Sequence, residues 1–204
     1  MRAVRRLVPF LAGAVLVAAT LAGCEPQAAP AHKFNAVDLT GAKYARQFDL
    51  PDADGKERTL ADFKGKVVVV FFGYTQCPDA CPTTMAELAQ VKKLLGKDSP
   101  RVQVVFISVD PDRDTGPLLR NYMQSFGSDF IGLRGDATQV KAVAREFKVF
   151  YEKVPGTAPD NYTIDHTAGT YVFDTQGRIR LFGRNGMEPE QLAADVKALL
   201  DEKA

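Results

Sequence analysis

"FFGYTQCPDACPTTMAEL", residues 71–88, sets two cysteines four positions apart between an apolar run and a helical pattern. The run it ends, "KVVVVFFGY" (66–74), is continuously apolar and β-branched. That is the signature of a strand buried on both faces of a sheet. Met85, Leu88, Val91 and Leu95 then recur at helical spacing, and Gly96 stands where a helix stops. Each cysteine precedes a proline. A residue before proline avoids the α region and proline suits the first helical position, so the sequence predicts Cys81 as the N-cap and Pro82 as the first helical residue. Cys77 to Ala80 then form a loop that brings both sulfurs to the positive end of the helix, where both thiols are expected to ionise more easily. Thiolate attacks disulfides and also binds soft metals, and in an exported protein a cysteine pair is also a structural bridge. From the pair alone, a fastener, a redox dithiol and a metal site all stay open.

Outward from this unit the pattern continues. "RVQVVFISV" (101–109) reads as a second buried strand, and "RQFDLPDADGKERTL" ahead of the first reads as a β-hairpin. Leu118, Leu119, Tyr122, Met123 and Phe126 form one helical stripe, and Val140, Val143, Ala144 and Phe147 another. "GTYVFDTQGRIRLFG" is a second hairpin. A last helix after Pro189 carries Leu192, Val196, Leu199 and Leu200 on one face. This order predicts an α/β fold, a mixed central sheet flanked by helices with an N-terminal β-hairpin. The strand–Cys–helix unit resembles the thioredoxin fold.

The N-terminus speaks to location. "MRAVRRLVPFLAGAVLVAATLAGC" has Arg2, Arg5 and Arg6 ahead of an apolar run from Leu7 to Leu21. At about 15 residues the run is short of the roughly 20 that span a bilayer, as expected for a secretory signal. "LAGC" resembles a bacterial lipobox, which predicts cleavage before Cys24 and lipid on that cysteine. Residues 1–23 are therefore expected to be a signal peptide, 24–42 an Ala- and Pro-rich tether and 43–204 the folded domain. Of the three cysteines, only Cys77 and Cys81 would remain as thiols. Removing residues 1–23 takes the formal charge from +1 to −2, and no basic patch argues for nucleic acid.

There are two histidines, His32 in the expected tether and His166 in "NYTIDHTAGTYVF". In a thioredoxin-like fold the loop before that last strand faces the cysteine loop, where a reductase places a cis-proline. Here the residues are Asp165, His166 and Thr167. A lone histidine before a strand is more often a surface or hydrogen-bonded residue than a ligand, but two thiolates and one imidazole would form a soft set of low coordination that suits Cu(I), with nitrogen ligation also accommodating Cu(II) and zinc usually wanting a fourth ligand.

Taken together, "FFGYTQCPDACPTTMAEL", "FISVDPDRDT" and "DHTAGTYVFD" resemble the Sco/SenC family, in the family's order and over about residues 66–174. The resemblance implies a lipid-anchored, thioredoxin-like copper chaperone at the periplasmic face of the inner membrane. It would serve the dinuclear copper site of cytochrome c oxidase subunit II, by delivering copper or by reducing that site's cysteines. Other periplasmic copper chaperones and thiol reductases would be its further partners. It implies Cys77, Cys81 and His166 as copper ligands, with Cys77 and Cys81 also the redox dithiol. A thiol–disulfide oxidoreductase or a copper or redox sensor, without copper delivery, is the competing expectation. In "VDPDRDTG", Asp110, Asp112, Arg113 and Asp114 read either as a turn with helix capping before Pro117 or as a charged rim that positions the ligands or meets a partner. Asp79 reads as a solvated loop carboxylate or a modulator of the thiols. Met85 reads as core rather than a thioether ligand.

Overall fold

The computed structural model describes residues 32–158 and 161–202, so the expected signal peptide, the lipobox Cys24 and most of the expected tether lie outside the described residues. The residues from Lys33 on form one compact unit. Among the described residues the strands are β1 (Val37–Asp38), β2 (Asp49–Pro51), β3 (Glu57–Thr59), β4 (Val67–Gly73), β5 (Val102–Ser108), β6 (Ile131–Leu133), β7 (Tyr151–Ala158), β8 (Asn161–His166), β9 (Gly169–Phe173) and β10 (Ile179–Arg184). The α-helices among them are α1 (Ala80–Leu95), α2 (Gly116–Gln124), α3 (Ala137–Phe147) and α4 (Pro189–Asp201). Among the described residues no helix is long and apolar enough to cross a membrane.

Six strands make the central sheet in the order β1-β10-β9-β4-β5-β6. The β4–β5 and β5–β6 pairs are parallel, and the other three are antiparallel, which gives the mixed sheet its character. Every residue of β4 and β5 is buried, as their unbroken apolar runs require. Successive side chains leave a strand on opposite faces, so neighbours on β4 serve different layers. Phe71 meets Phe106 on one face (ring centroids 6.1 Å apart). Phe72 meets Phe147 of α3 (5.1 Å) and Tyr171 (6.2 Å) on the other. Full burial of one such ring stabilises the fold by roughly 1.5–3 kcal/mol.

α1 packs on α4, and α2 lies on β6 so closely that a Cβ on Gly132 would come within 2.5 Å of Leu119 Cγ. The expected stripes of α1, α3 and α4 are buried throughout. That of α2 is narrower: Leu119 and Met123 are buried, whereas Leu118 faces solvent and Phe126 follows the end of the helix. Gly96 closes α1 with a positive φ of 53°, and β2–β3 forms the expected hairpin.

Two features depart from expectation. The stretch 33–42 was assigned to a tether, yet β1 pairs with β10 at the sheet edge. Just before it, the buried Asp195 of α4 accepts from the backbone N–H of Asn35 (3.0 Å) and Ala36 (2.8 Å) and from Asn35 Nδ2 (2.9 Å). An Ala/Pro-rich composition says little about a segment that gains order from one distant carboxylate. Asp195→Ala should cost about 1–3 kcal/mol, by leaving the buried Ala36 N–H unpaired, and should raise amide exchange selectively over residues 35–38. The second departure is β7–β8, a two-stranded sheet separate from the central one, in a stretch where Pro155 and Gly156 mask the strand pattern.

Candidate metal centre

The cysteines sit where β4 hands over to α1. The helix begins at Ala80 with Asp79 in the cap position, so Cys81 and Pro82 are its second and third residues, two steps further in than the sequence predicts. Pro82 is tolerated because the first N–H groups of a helix have no intrahelical partner to lose. Asp79 is exposed and makes no side-chain cap bond; instead the backbone N–H of Cys81 donates to Cys77 Sγ at 3.4 Å. A sulfur thus takes the place of the usual capping oxygen, at the positive end of the helix dipole.

Cys81 itself is fully buried. Burial pushes its thiol well above the usual range, against the lowering effect of the hydrogen bond to the Tyr74 backbone and with smaller raising contributions from Cys77 and Asp114. The expectation that both thiols ionise more easily therefore fails for Cys81, because the desolvation of a fully enclosed sulfur exceeds what a helix terminus returns. Cys77 is half-buried at the mouth. Room for Cys81 depends on Gly73: a Cβ there would lie 3.0 Å from Cys81 Sγ, 2.9 Å from Phe71 Cε1 and 3.0 Å from Phe106 Cε2. Gly73→Ala should cost about 1–3 kcal/mol by overpacking and displace Cys81, which a denaturation midpoint and the thiol's reactivity would register.

His166 ends β8 and comes to the pair from the opposite side. Its Nε2 lies 3.4 Å from Cys81 Sγ, and the three ligand atoms of Cys77, Cys81 and His166 are all within 4.8 Å of one another. Nδ1 is 3.1 Å from the Thr167 carbonyl oxygen. A carbonyl only accepts, so Nδ1 carries the proton and Nε2 presents its lone pair to the sulfurs. Burial lowers the His166 pKa, more than the Thr167 carbonyl and Asp165 raise it, which keeps the ring neutral. Phe71 and Tyr74 hold the ring edge-on, at 5.9 and 6.1 Å between centroids. Two sulfurs and a neutral imbidazole nitrogen, partly enclosed by aromatic rings, match a soft, weakly hydrated cation. Met85 is fully buried on the α1 stripe.

The "VDPDRDTG" loop combines a turn and a helix cap with buried carboxylates. Thr115 caps α2, accepting from Leu118 N at 3.4 Å. Asp112 is exposed and pairs with Lys153. Asp110 and Asp114 are completely buried. Asp114 accepts from Ser108 Oγ at 2.5 Å, Thr75 Oγ1 at 2.6 Å and Thr75 N at 3.2 Å, tying the start of the cysteine loop to the end of β5. Its burial raises its pKa against those hydrogen bonds. Arg113 reaches across to Tyr162, a residue on β8 that the sequence offered no reason to single out.

The SCO1/SenC family model matches residues 37–201, nearly the whole described unit. The chain belongs to the SCO1/SenC family. A SCO2-like protein of Rickettsia felis is 39% identical over 137 residues, 67% of each chain. The mitochondrial SCO2 homologue of Bos taurus is 36% identical over 152 residues, 74% of this chain and 57% of that longer one. Among solved structures, Bradyrhizobium japonicum ScoI with copper bound is 42% identical, with a TM-score of 0.69 over 75% of this chain and 97% of that one. Apo Sco1 from Thermus thermophilus is 37% identical, with a TM-score of 0.74 over 84% and 99%. The thioredoxin-like fold of these Sco proteins is the fold seen here.

Proposed function

We propose that this Sco-family chain binds copper through Cys77, Cys81 and His166 and delivers it to the dinuclear copper site of cytochrome c oxidase subunit II. The observation that carries the reading is the convergence of three soft donors from two separate segments, a thiol pair at a helix start and an imidazole on a facing strand, within 4.8 Å. The copper-bound structure of the 42% identical ScoI supports copper as the cargo. Two thiolates and one imidazole hold Cu(I) with low coordination, and the half-buried mouth at Cys77 leaves an acceptor protein a route to the ion. In this reading the signal sequence and "LAGC" support export and lipid on Cys24, and the role that the family resemblance implies puts the protein at the periplasmic face of the inner membrane. Radiolabelled palmitate should be incorporated by the wild type and not by Cys24→Ser.

A second reading rests on the closeness of the sulfurs. The Cys77–Cys81 dithiol can pass two electrons and two protons to a disulfide in subunit II, ending as its own disulfide. One experiment separates the two. Copper-loaded protein is mixed with the reduced, copper-free soluble domain of subunit II, and in parallel metal-free reduced protein with the oxidised domain. Copper found on the re-isolated subunit II domain in the first mixture is the expected result. Thiol exchange in the second without transfer in the first would replace delivery by reduction, and activity in neither would overturn both.

A further inference from the structure

We infer that Asp110, Arg113 and Tyr162 are positioning residues for His166, forming a latch that sets the distance between the imidazole and the two sulfurs. The inference rests on the copper-site reading above and adds to it the part of the chain that makes the site a fixed one. β7–β8 shares no strand pairing with the central sheet, so side-chain contacts must orient the strand that carries His166. Along β8 the burial alternates: Tyr162, Ile164 and His166 face the domain, whereas Asn161, Thr163 and Asp165 are exposed. Each inward residue has its own anchor. His166 meets Cys81, Ile164 N donates to Tyr74 Oη at 3.1 Å, and Tyr162 meets the latch.

The latch is closed on both sides of the Tyr162 residue. Tyr162 Oη donates to Asp110 Oδ1 at 2.7 Å, and Arg113 Nη1 donates to the Tyr162 carbonyl at 2.9 Å. The Arg113 guanidinium lies 3.5 Å from the Tyr162 ring centroid while its Nε is paired with Asp110 Oδ2. A planar fork satisfies these three directions at once, and a lysine ammonium does not. Arg113 Nη2 is buried without a hydrogen-bond partner, the cost of a geometry set by the other two nitrogens.

The anchor behind the latch reaches the cysteines. Asp110 N donates to Ser108 Oγ (3.1 Å), Ser108 Oγ donates to Asp114, and Asp114 accepts from Thr75, two residues before Cys77. One continuous set of hydrogen bonds thus runs from the segment bearing the sulfurs to the strand bearing the imidazole. Outer partners of this kind fix ligand orientation in metal sites.

The test compares the full-length protein with Arg113→Lys, Tyr162→Phe, the surface control Lys197→Ala and the ligand control His166→Ala. Cu(I) competition titrations and the charge-transfer absorption of the Cu(II) form are read for each, with thermal unfolding alongside. Arg113→Lys should weaken binding roughly 10- to 100-fold and shift the absorption. Tyr162→Phe, which keeps the ring under the guanidinium, should move both in the same direction by less, and Lys197→Ala should move neither. A purely structural role would lower the unfolding temperature and leave the spectrum of the folded protein unchanged. Wild-type affinity and spectrum in Arg113→Lys and Tyr162→Phe, with binding weakened in His166→Ala, would overturn the latch alone. Unchanged binding in His166→Ala would overturn the ligand assignment and the latch with it. Should Arg113→Lys not fold, Tyr162→Phe decides by the same readouts.

Discussion

His166→Ala is expected to lower Cu(I) affinity by roughly 100-fold or more, since losing a direct ligand should cost at least what loss of an outer partner costs. The fold should survive. His166 is half-buried at the end of a strand, and its polar contacts are the Thr167 carbonyl and the Cys81 thiol. The Cu(II) complex should also lose the spectral contribution of nitrogen ligation, leaving two sulfurs that no longer have an imidazole 3.4 Å from Cys81. A competition titration with wild type and variant in parallel checks both. Unchanged affinity would remove His166 from the site and return the cysteines to redox chemistry alone.

The second large effect concerns a residue that touches no proposed ligand. Asp114→Ala should cost about 3 kcal/mol or more, because Ser108 Oγ, Thr75 Oγ1 and Thr75 N all lose their acceptor in a buried setting. Against a total stability of about 5–15 kcal/mol, that is a substantial fraction. Asp114→Asn, which keeps one carbonyl acceptor, should lose less. Urea unfolding of the two variants measures the difference, and a shift below about 1 kcal/mol in Asp114→Ala would show that water replaces the carboxylate. Because Thr75 stands two residues before Cys77, the surviving folded Asp114→Ala protein should also bind copper more weakly. The two predictions are separable, since the first changes binding with the fold intact and the second reaches binding through the fold.

Much of this was legible before any coordinates. Val67–Gly73 and Val102–Ser108 could only be strands covered on both faces, since their apolar runs have no polar face to give to water. The helical stripes of α1, α3 and α4 left the same kind of mark. Cys77, Cys81 and His166 announced themselves by rarity and by residue chemistry. What escaped was whatever depends on long-range partners. The tether-like segment 33–42 becomes an edge strand because Asp195, some 160 positions away, receives its N–H groups. Tyr162 gave no signal, as nothing in "NYTID" tells which side of a strand meets an arginine from a loop 49 residues earlier.

The sequence by itself determined the strand–Cys–helix unit and the donor types, because these depend on local periodicity, residue chemistry and spacing. Tertiary structure alone decided that Cys81 is sealed in the core with its thiol protonated more firmly than a helix terminus would predict. It also decided that Asp110 and Asp114 are interior groups, and that the imidazole stands beside the sulfurs across 85 residues of chain. Burial and through-space hydrogen bonding are properties of the packed chain, so no local stretch can encode them alone.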